Sequence, residues 1–288
     1  MIRTDPAHYS AIASALRDVT QLSDLYRPSE MAAAIRLLEP AKYMAEGTFD
    51  DFLTGTPSFV AAGAFVSRES LKSVSFPYVT TVGRNAFASC LSLTSVHLPT
   101  CSEIGSYAFY HCLYLSDLSI PACTSVGTYA FGTCRSLTGI SLPLCRHIGS
   151  EGFDWCINMT TATLPLCECV ETSAFYSCSK LKSVTLPVCS SIGSRAFEGC
   201  PSLTTLALPA CTYIGSSAFS KCTRLLTLDL RSVSVVPTLS VNAFYSTPIG
   251  GYSDIYNTYG SVYVPASLYD NFIVAENWSS IASRIVSV

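Results

Sequence analysis

Apolar residues return along most of this chain at the same offsets every 22 positions. Phenylalanines stand at 65, 87, 109, 131, 153, 175, 197 and 219, and a further one, Phe244, follows after a longer step. Prolines stand at 77, 99, 121, 143, 165, 187 and 209 in the same rhythm. One unit shows what the pattern predicts. Val96 and Leu98 alternate with Ser95 and His97, the period of two that marks a half-buried strand. Ile104, Ala108, Phe109, Cys112 and Leu115 then recur at steps of four, one, three and three, the inward stripe of a short helix. Ser106 stands before that stripe as an N-cap, with Thr128, Ser150, Thr172, Ser194 and Ser216 as its counterparts. Gly105 and its counterparts 83, 127, 149, 193 and 215 suit a turn with positive φ.

A single strand–turn–helix unit cannot bury its apolar face, but stacked units share one continuous core. The predicted fold is therefore an α/β solenoid, with a parallel sheet on one face and short helices on the other. Eight stacked strands predict a sheet about 34 Å long. The unit around Phe153 is the least regular: Met159, Ala162 and Glu171 replace the usual Leu, Val and Gly, which predicts a local packing defect. The predicted boundaries are a helical N-terminal module over residues 1–40, the solenoid over 41–245 and a C-terminal cap over 246–288. In the first module, residues 5–17 and 28–39 read as amphipathic helices, with Pro28 at the start of the second and Pro40 as its stop. At the other end, Val262, Val264 and Pro265 repeat the strand signature, and residues 267–284 read as largely helical.

The run Leu93-x-x-Val96-x-Leu98-x-x-Cys101 matches the leucine-rich-repeat pattern. With Leu98-Pro99, Ile104-Gly105 and Ala108-Phe109-x-x-Cys112, it resembles the BspA-like leucine-rich repeats over roughly residues 60–245. The resemblance implies a surface or secreted protein of gut or oral microbes that works in adhesion, and it brings no catalytic motif. A weaker resemblance lies at the ends. Residues 11–17 with 28–35, and Ser261 to Pro265 with Asn277-Trp278 and Arg284-Ile285, are similar to segments of phage and prophage tail-region proteins of gut bacteria.

Composition narrows the function classes. Apolar residues make up 49% and charged residues 13%, which excludes a disordered chain. A net charge of −3 without a basic cluster argues against nucleic acid and anionic membranes as partners. No apolar run reaches the roughly 18 residues of a membrane span. The first residues lack the basic and apolar regions of a secretory signal, so a virion, whose proteins leave by lysis, is the favoured setting over an exported cell-surface protein.

Fourteen cysteines fall almost entirely in two registers, three residues after Phe and two after Pro. They read as reduced, inward thiols acting as small apolar residues, in preference to disulfides or a metal site, since there is neither a C-x-x-C pair nor a histidine cluster. The four histidines occupy unrelated repeat positions and no phosphate-cradling loop is present, so the chain reads as a non-enzyme with no cofactor and no metal. The outward strand positions, such as Ser73, Ser95, Thr161 and Thr205, form a small, hydroxyl-rich face with little grip for a ligand. Exposed aromatic residues on the opposite side are better anchors: Tyr107, Tyr110, Tyr114, Tyr129, Trp155 and Tyr176 are the candidate partner-binding residues. The expected partner is a protein or glycan on a cell surface, with oligomerisation left open. The competing readings are a phage-type recognition component, a bacterial adhesin for host matrix or mucin, and a spacer without a ligand.

Overall fold

The computed structural model describes residues 58–251 and 257–288. The expected helical module over 1–40 lies outside these residues. The described chain winds as a parallel β-solenoid, and each regular coil contributes two strands rather than the one predicted. The longer strand of the coil above is Ser95–His97, whose central Val96 points inward. The shorter is Glu103–Ile104, which the sequence pattern had merged into the start of a helix. Nine such short strands, from Phe59–Val60 to Thr238–Leu239, form one parallel sheet. The longer strands stack in register in three groups; the ladder parts between Asp117–Ser119 and Gly139–Ser141, and between Ser183–Thr185 and Thr205–Ala207. The side chains near the first parting include a half-buried Leu118, where the other coils seat a buried aliphatic residue.

The predicted short helices are absent from the repeats. In their place each coil runs through a chain of turns in which amide donors alternate. Tyr107, Phe109 and His111 donate to the carbonyls of Thr128, Ala130 and Gly132 in the next coil, at 2.8, 2.7 and 2.9 Å. Ala108, Tyr110 and Cys112 donate to residues three earlier in their own coil, at 3.2, 3.1 and 3.2 Å. Tyr107 and His111 have φ of 59° and 61°, the left-handed region, which interrupts any helix. The apolar stripe is nevertheless buried as predicted, because Ala108, Phe109, Cys112 and Leu115 all face the interior. Ser106 caps no helix; its carbonyl accepts the amide of Asn85 in the preceding coil at 3.0 Å.

The core is a column of rings. Nine phenylalanines from Phe65 to Phe244 stack face to face, with centroids 5.0–5.7 Å apart and planes within 8° of parallel. Beside it run the two thiol ladders. Cys112 Sγ donates to the Phe87 carbonyl at 3.2 Å, and Cys101 Sγ to the Glu103 carbonyl at 3.3 Å, both repeated along the stack. Every cysteine is free, and all but Cys169 are buried.

The recurrent glycine has a different cause from the one expected. Gly105, Gly127 and Gly193 do not have positive φ. A Cβ on Gly127 would lie 2.7 Å from the Ser106 nitrogen and 2.8 Å from the Gly105 carbonyl carbon, so glycine lets successive backbones approach. Glu171 takes this place in the irregular unit, and its amide bond to the Ile148 carbonyl lengthens to 3.0 Å, against 2.8 Å at Gly149. Its carboxylate recovers polar contacts, accepting from the Ser150 amide and hydroxyl at 2.9 and 2.8 Å and meeting His147 Nε2 at 2.8 Å. The defect is small: Met159 and Ala162 remain buried.

The C-terminal segment closes the stack. Ser261–Val264 pairs with Thr227–Asp229, the strand that the sequence predicted. The helical content that follows is short: a 3-10 turn at Ala266–Leu268, helix α1 at Tyr269–Val274 and a second 3-10 stretch at Ser279–Arg284. A final strand, Ile285–Ser287, was not anticipated and pairs with Ser261–Val264. Trp278 is fully buried against Phe244 and Phe272, and terminates the ring column.

Candidate binding surface

The chain of turns places three outward columns side by side, at the positions two before, one after and two after each core phenylalanine. The first reads Tyr107, Tyr129, Glu151; the second Tyr110, Gly132, Asp154, Tyr176; the third His111, Thr133, Trp155. Because coils stack in register, residues 22 apart become neighbours. Tyr107 and Tyr129 stack with centroids 4.9 Å apart and planes at 13°. Tyr110 meets both edge-on, at 5.6 and 5.9 Å. Trp155 and Tyr176 form a second edge-on pair at 6.1 Å. Five of the six candidate residues thus gather in two clusters of rings on one side of the solenoid. Tyr114 is exposed but makes no ring contact with either cluster among the described residues.

The backbone under these rings is unfavourable for them. Tyr107, Tyr129 and Trp155 have φ of 59°, 55° and 53°. Glycine or asparagine occupies that region at little cost, whereas a bulky residue is strained there. The stacking of Tyr107 on Tyr129 offsets part of that strain, but the backbone conformation itself gives no reason for a ring at these positions. Trp155 still leaves 44% of its surface exposed.

Charge frames the rings. Arg84 lies 5.8 Å over Tyr107, and Arg195 lies 4.9 Å over Tyr176. Arg195 Nε also reaches Glu198 Oε2 at 2.6 Å, and Lys221 Nζ reaches Glu198 Oε1 at 2.8 Å. Burial works against the charge on Glu198, but these two partners hold its carboxyl below the usual range. Between the two arginines, Glu151 lies beside the Tyr129 phenol and is the main cause of its raised pKa. Asp154 is buried, its Oδ1 has no hydrogen-bond partner among the described residues, and burial with help from Glu151 pushes its pKa up to about 7. His111 Nδ1 and Thr133 Oγ1 are 3.1 Å apart at the margin.

The sequence reading overlooked Gly132, Glu151 and Asp154. The signal that could have found them was the second column read across coils, where a glycine and an acid interrupt a pair of tyrosines. The opposite, strand-lined face is as plain as expected: Ser73, Ser75, Thr161, Thr163, Ser183 and Thr185 are exposed hydroxyl residues. Among the described residues no group of three or more His, Cys, Asp or Glu side chains could hold a metal, and no helix is long and apolar enough to cross a membrane.

The family model of the BspA type leucine rich repeat region matches residues 58–165 and 146–258, in six copies. The chain is similar to a leucine-rich-repeat protein of T. pallidum, with 30% identity and a TM-score of 0.50, over 54% of this chain and 76% of that one. It is also similar to a leucine-rich-repeat protein from Bacteroides ovatus, with 18% identity and a TM-score of 0.49, over 83% and 70% of the two chains. A leucine rich cell surface protein from Faecalibacterium prausnitzii is 21% identical with a TM-score of 0.40, over 80% and 76%. A comparison with curated proteins found no match.

Proposed function

This chain belongs to the BspA-type leucine-rich-repeat family, and from that premise we propose that it is a non-enzymatic adhesion protein whose ring clusters meet a partner on a cell surface. The repeat fold is generally used for protein binding or adhesion, and proteins of this family are typically surface or extracellular. The observation that carries the reading is the placing of Tyr107, Tyr129 and Trp155 on left-handed backbone, where a bulky residue is strained, with their rings gathered in clusters at the surface. Tyrosine and tryptophan supply large contact area at low entropic cost, which is why they dominate binding surfaces. The partner is a protein or a glycan. The setting we favour is a phage or prophage tail, with residues 1–40 as the attachment module and the solenoid as the recognition part; it rests on the end-segment resemblances. A bacterial adhesin for host matrix or mucin is the second reading, favoured by the usual surface location of the family.

The test is binding of the labelled full chain to intact gut bacteria and, separately, to mucin with extracellular matrix, beside a Tyr107→Ser/Tyr129→Ser/Trp155→Ser variant. Saturable, strain-selective binding lost in the variant supports the phage-type reading. Binding to mucin or matrix alone supports the adhesin. Binding that ignores the variant, or no binding to either surface, removes the ring clusters as the contact site.

A further inference from the structure

Between the two ring clusters lies a feature that neither folding nor stacking explains. In the second column Gly132 stands between Tyr110 and Asp154. The missing side chain leaves a notch, and the Asp154 carboxylate leans into it. A Cβ on Gly132 would run into Asp154 Oδ1 and come within 3.1 Å of the Tyr110 ring. Asp154 keeps only 6% of its surface, and among the described residues its Oδ1 has no hydrogen-bond partner and the side chain forms no ion pair. A carboxylate withdrawn from water without a partner is one of the most expensive arrangements a protein surface can hold.

The neighbours make the deficit one of positive charge. Burial and Glu151, three residues before it, both favour the protonated form of Asp154, so an uncharged donor would leave that proton in place, whereas a cation would draw it off and gain a charge-assisted bond. Rings flank the notch: the half-buried Tyr110 on one side, the half-buried Tyr176 on the other, and the exposed indole of Trp155 next in sequence. At both outer edges of this surface the protein has already placed a guanidinium over a tyrosine, Arg84 on Tyr107 and Arg195 on Tyr176. Only the centre, where the acids are, lacks one among the described residues.

We infer that the Gly132–Asp154 notch receives an arginine side chain of the protein partner, its guanidinium plane laid against Trp155 or Tyr110 and its N–H groups directed to the Asp154 carboxylate. Arginine fits better than lysine, since a planar fork stacks on a ring and hydrogen-bonds in its own plane at once. A sugar would use the rings but leave the acid pair uncompensated. The inference rests on the reading of the ring clusters as the contact surface, and narrows the partner to a protein that presents a basic side chain.

The experiment follows Trp155 fluorescence in the full chain; the only other tryptophan, Trp278, is buried in the cap. The probes are a capped tripeptide with a central arginine, the same peptide with citrulline as its neutral isostere, and a neutral oligosaccharide. The expected result is a saturable change with the arginine peptide, weakened by about tenfold or more with citrulline and in Asp154→Asn, the worth of one charge-assisted bond. The Asp154→Asn variant is checked for an unfolding transition no lower than that of the native chain, so that loss of binding is not loss of fold. Equal responses to arginine and citrulline, no saturation with arginine, or full binding by Asp154→Asn overturns the inference. Failure of the wider reading shows elsewhere: cell or mucin binding that ignores the triple ring variant removes the contact surface itself. Cell binding that needs the rings but ignores Asp154→Asn removes the arginine notch alone.

Discussion

The indole N–H of Trp278 donates to the Pro237 carbonyl at 2.7 Å, across 41 residues of chain, while its ring closes on Phe244. One side chain thus ties the cap to the last coil by both packing and a buried hydrogen bond. Trp278→Ala is expected to cost about 3–5 kcal/mol and to leave the Pro237 carbonyl unpaired. In hydrogen exchange the loss should be graded: amides near Phe244 open first, and those near Phe109 hardly change, because coils stabilise only their neighbours. Uniform destabilisation along the whole solenoid would refute this account of the cap.

Gly127 tests the stacking distance. An added Cβ meets backbone rather than a flexible side chain, with the Ser106 nitrogen at 2.7 Å and the Ile104 oxygen at 2.9 Å. Gly127→Ala is expected to destabilise by about 1–3 kcal/mol, the usual range for overpacking, read as a lower urea midpoint. A φ-based role would predict strain at this residue from the backbone alone, but its φ lies outside the left-handed region.

Asp154 sets a pH dependence of unusual sign. Its pKa is raised from 3.8 to about 7, by burial first and Glu151 second, so the native state holds a proton that the unfolded chain has released. Its contribution to stability is therefore most favourable below pH about 4 and declines as pH rises towards about 7, on the order of 2–4 kcal/mol in all. Glu171 and Glu198 work in the opposite sense: burial opposes their charge, but their partners lower the pKa of each, and the stability they add is lost on acidification. The difference in unfolding free energy between the native chain and Asp154→Asn isolates the first effect. It should grow in favour of the variant from pH 4 to 7; a flat difference contradicts the buried, unpartnered acid.

The thiols should react in a fixed order. Burial pushes Cys90 up to about 11 and Cys112 up to about 12; Cys145 is lowered by its hydrogen bond with Cys123, but like the other ladder cysteines it is shielded from solvent. Cys169 alone is half-exposed, although burial and Glu171 raise its pKa too. Alkylation of the folded protein, followed by mass spectrometry, is expected to mark Cys169 first and the others only on unfolding. Early labelling of Cys112 or Cys134 would mean that the stack opens in its middle.

The repeat and its inward faces were legible because burial leaves a periodic trace in side-chain type: Phe109, Cys112 and Leu115 face the core as their spacing requires. Backbone conformation was not. Apolar steps of three and four fit a helix, and they fit equally well a chain of turns whose amides bond alternately to their own coil and the next. The positive φ at Tyr107 and His111 has no side-chain signature. The terminal strand Ile285–Ser287 escaped for a related reason, since it carries no copy of the repeat motif. Asp154 looked like any surface acid within its own unit; only reading across coils brings it beside Gly132. Tyr114 shows the reverse, a ring whose sequence proximity to Tyr110 did not become proximity to the clusters.

The constant register has a consequence for how such a molecule changes over generations. Val96 faces Val74 and Leu118, and Val170 faces Ile148 and Ile192, so any regular coil meets its neighbours through nearly the same surface. Duplicating or deleting one whole unit restores the same junction on both sides, whereas adding or losing a single residue puts every inward side chain of that coil out of place. The length of the molecule is thus free to vary in fixed increments while its closed end stays the same. A gene that gains or loses such units changes how far, and with how many rings, its product can reach, without having to reinvent a fold.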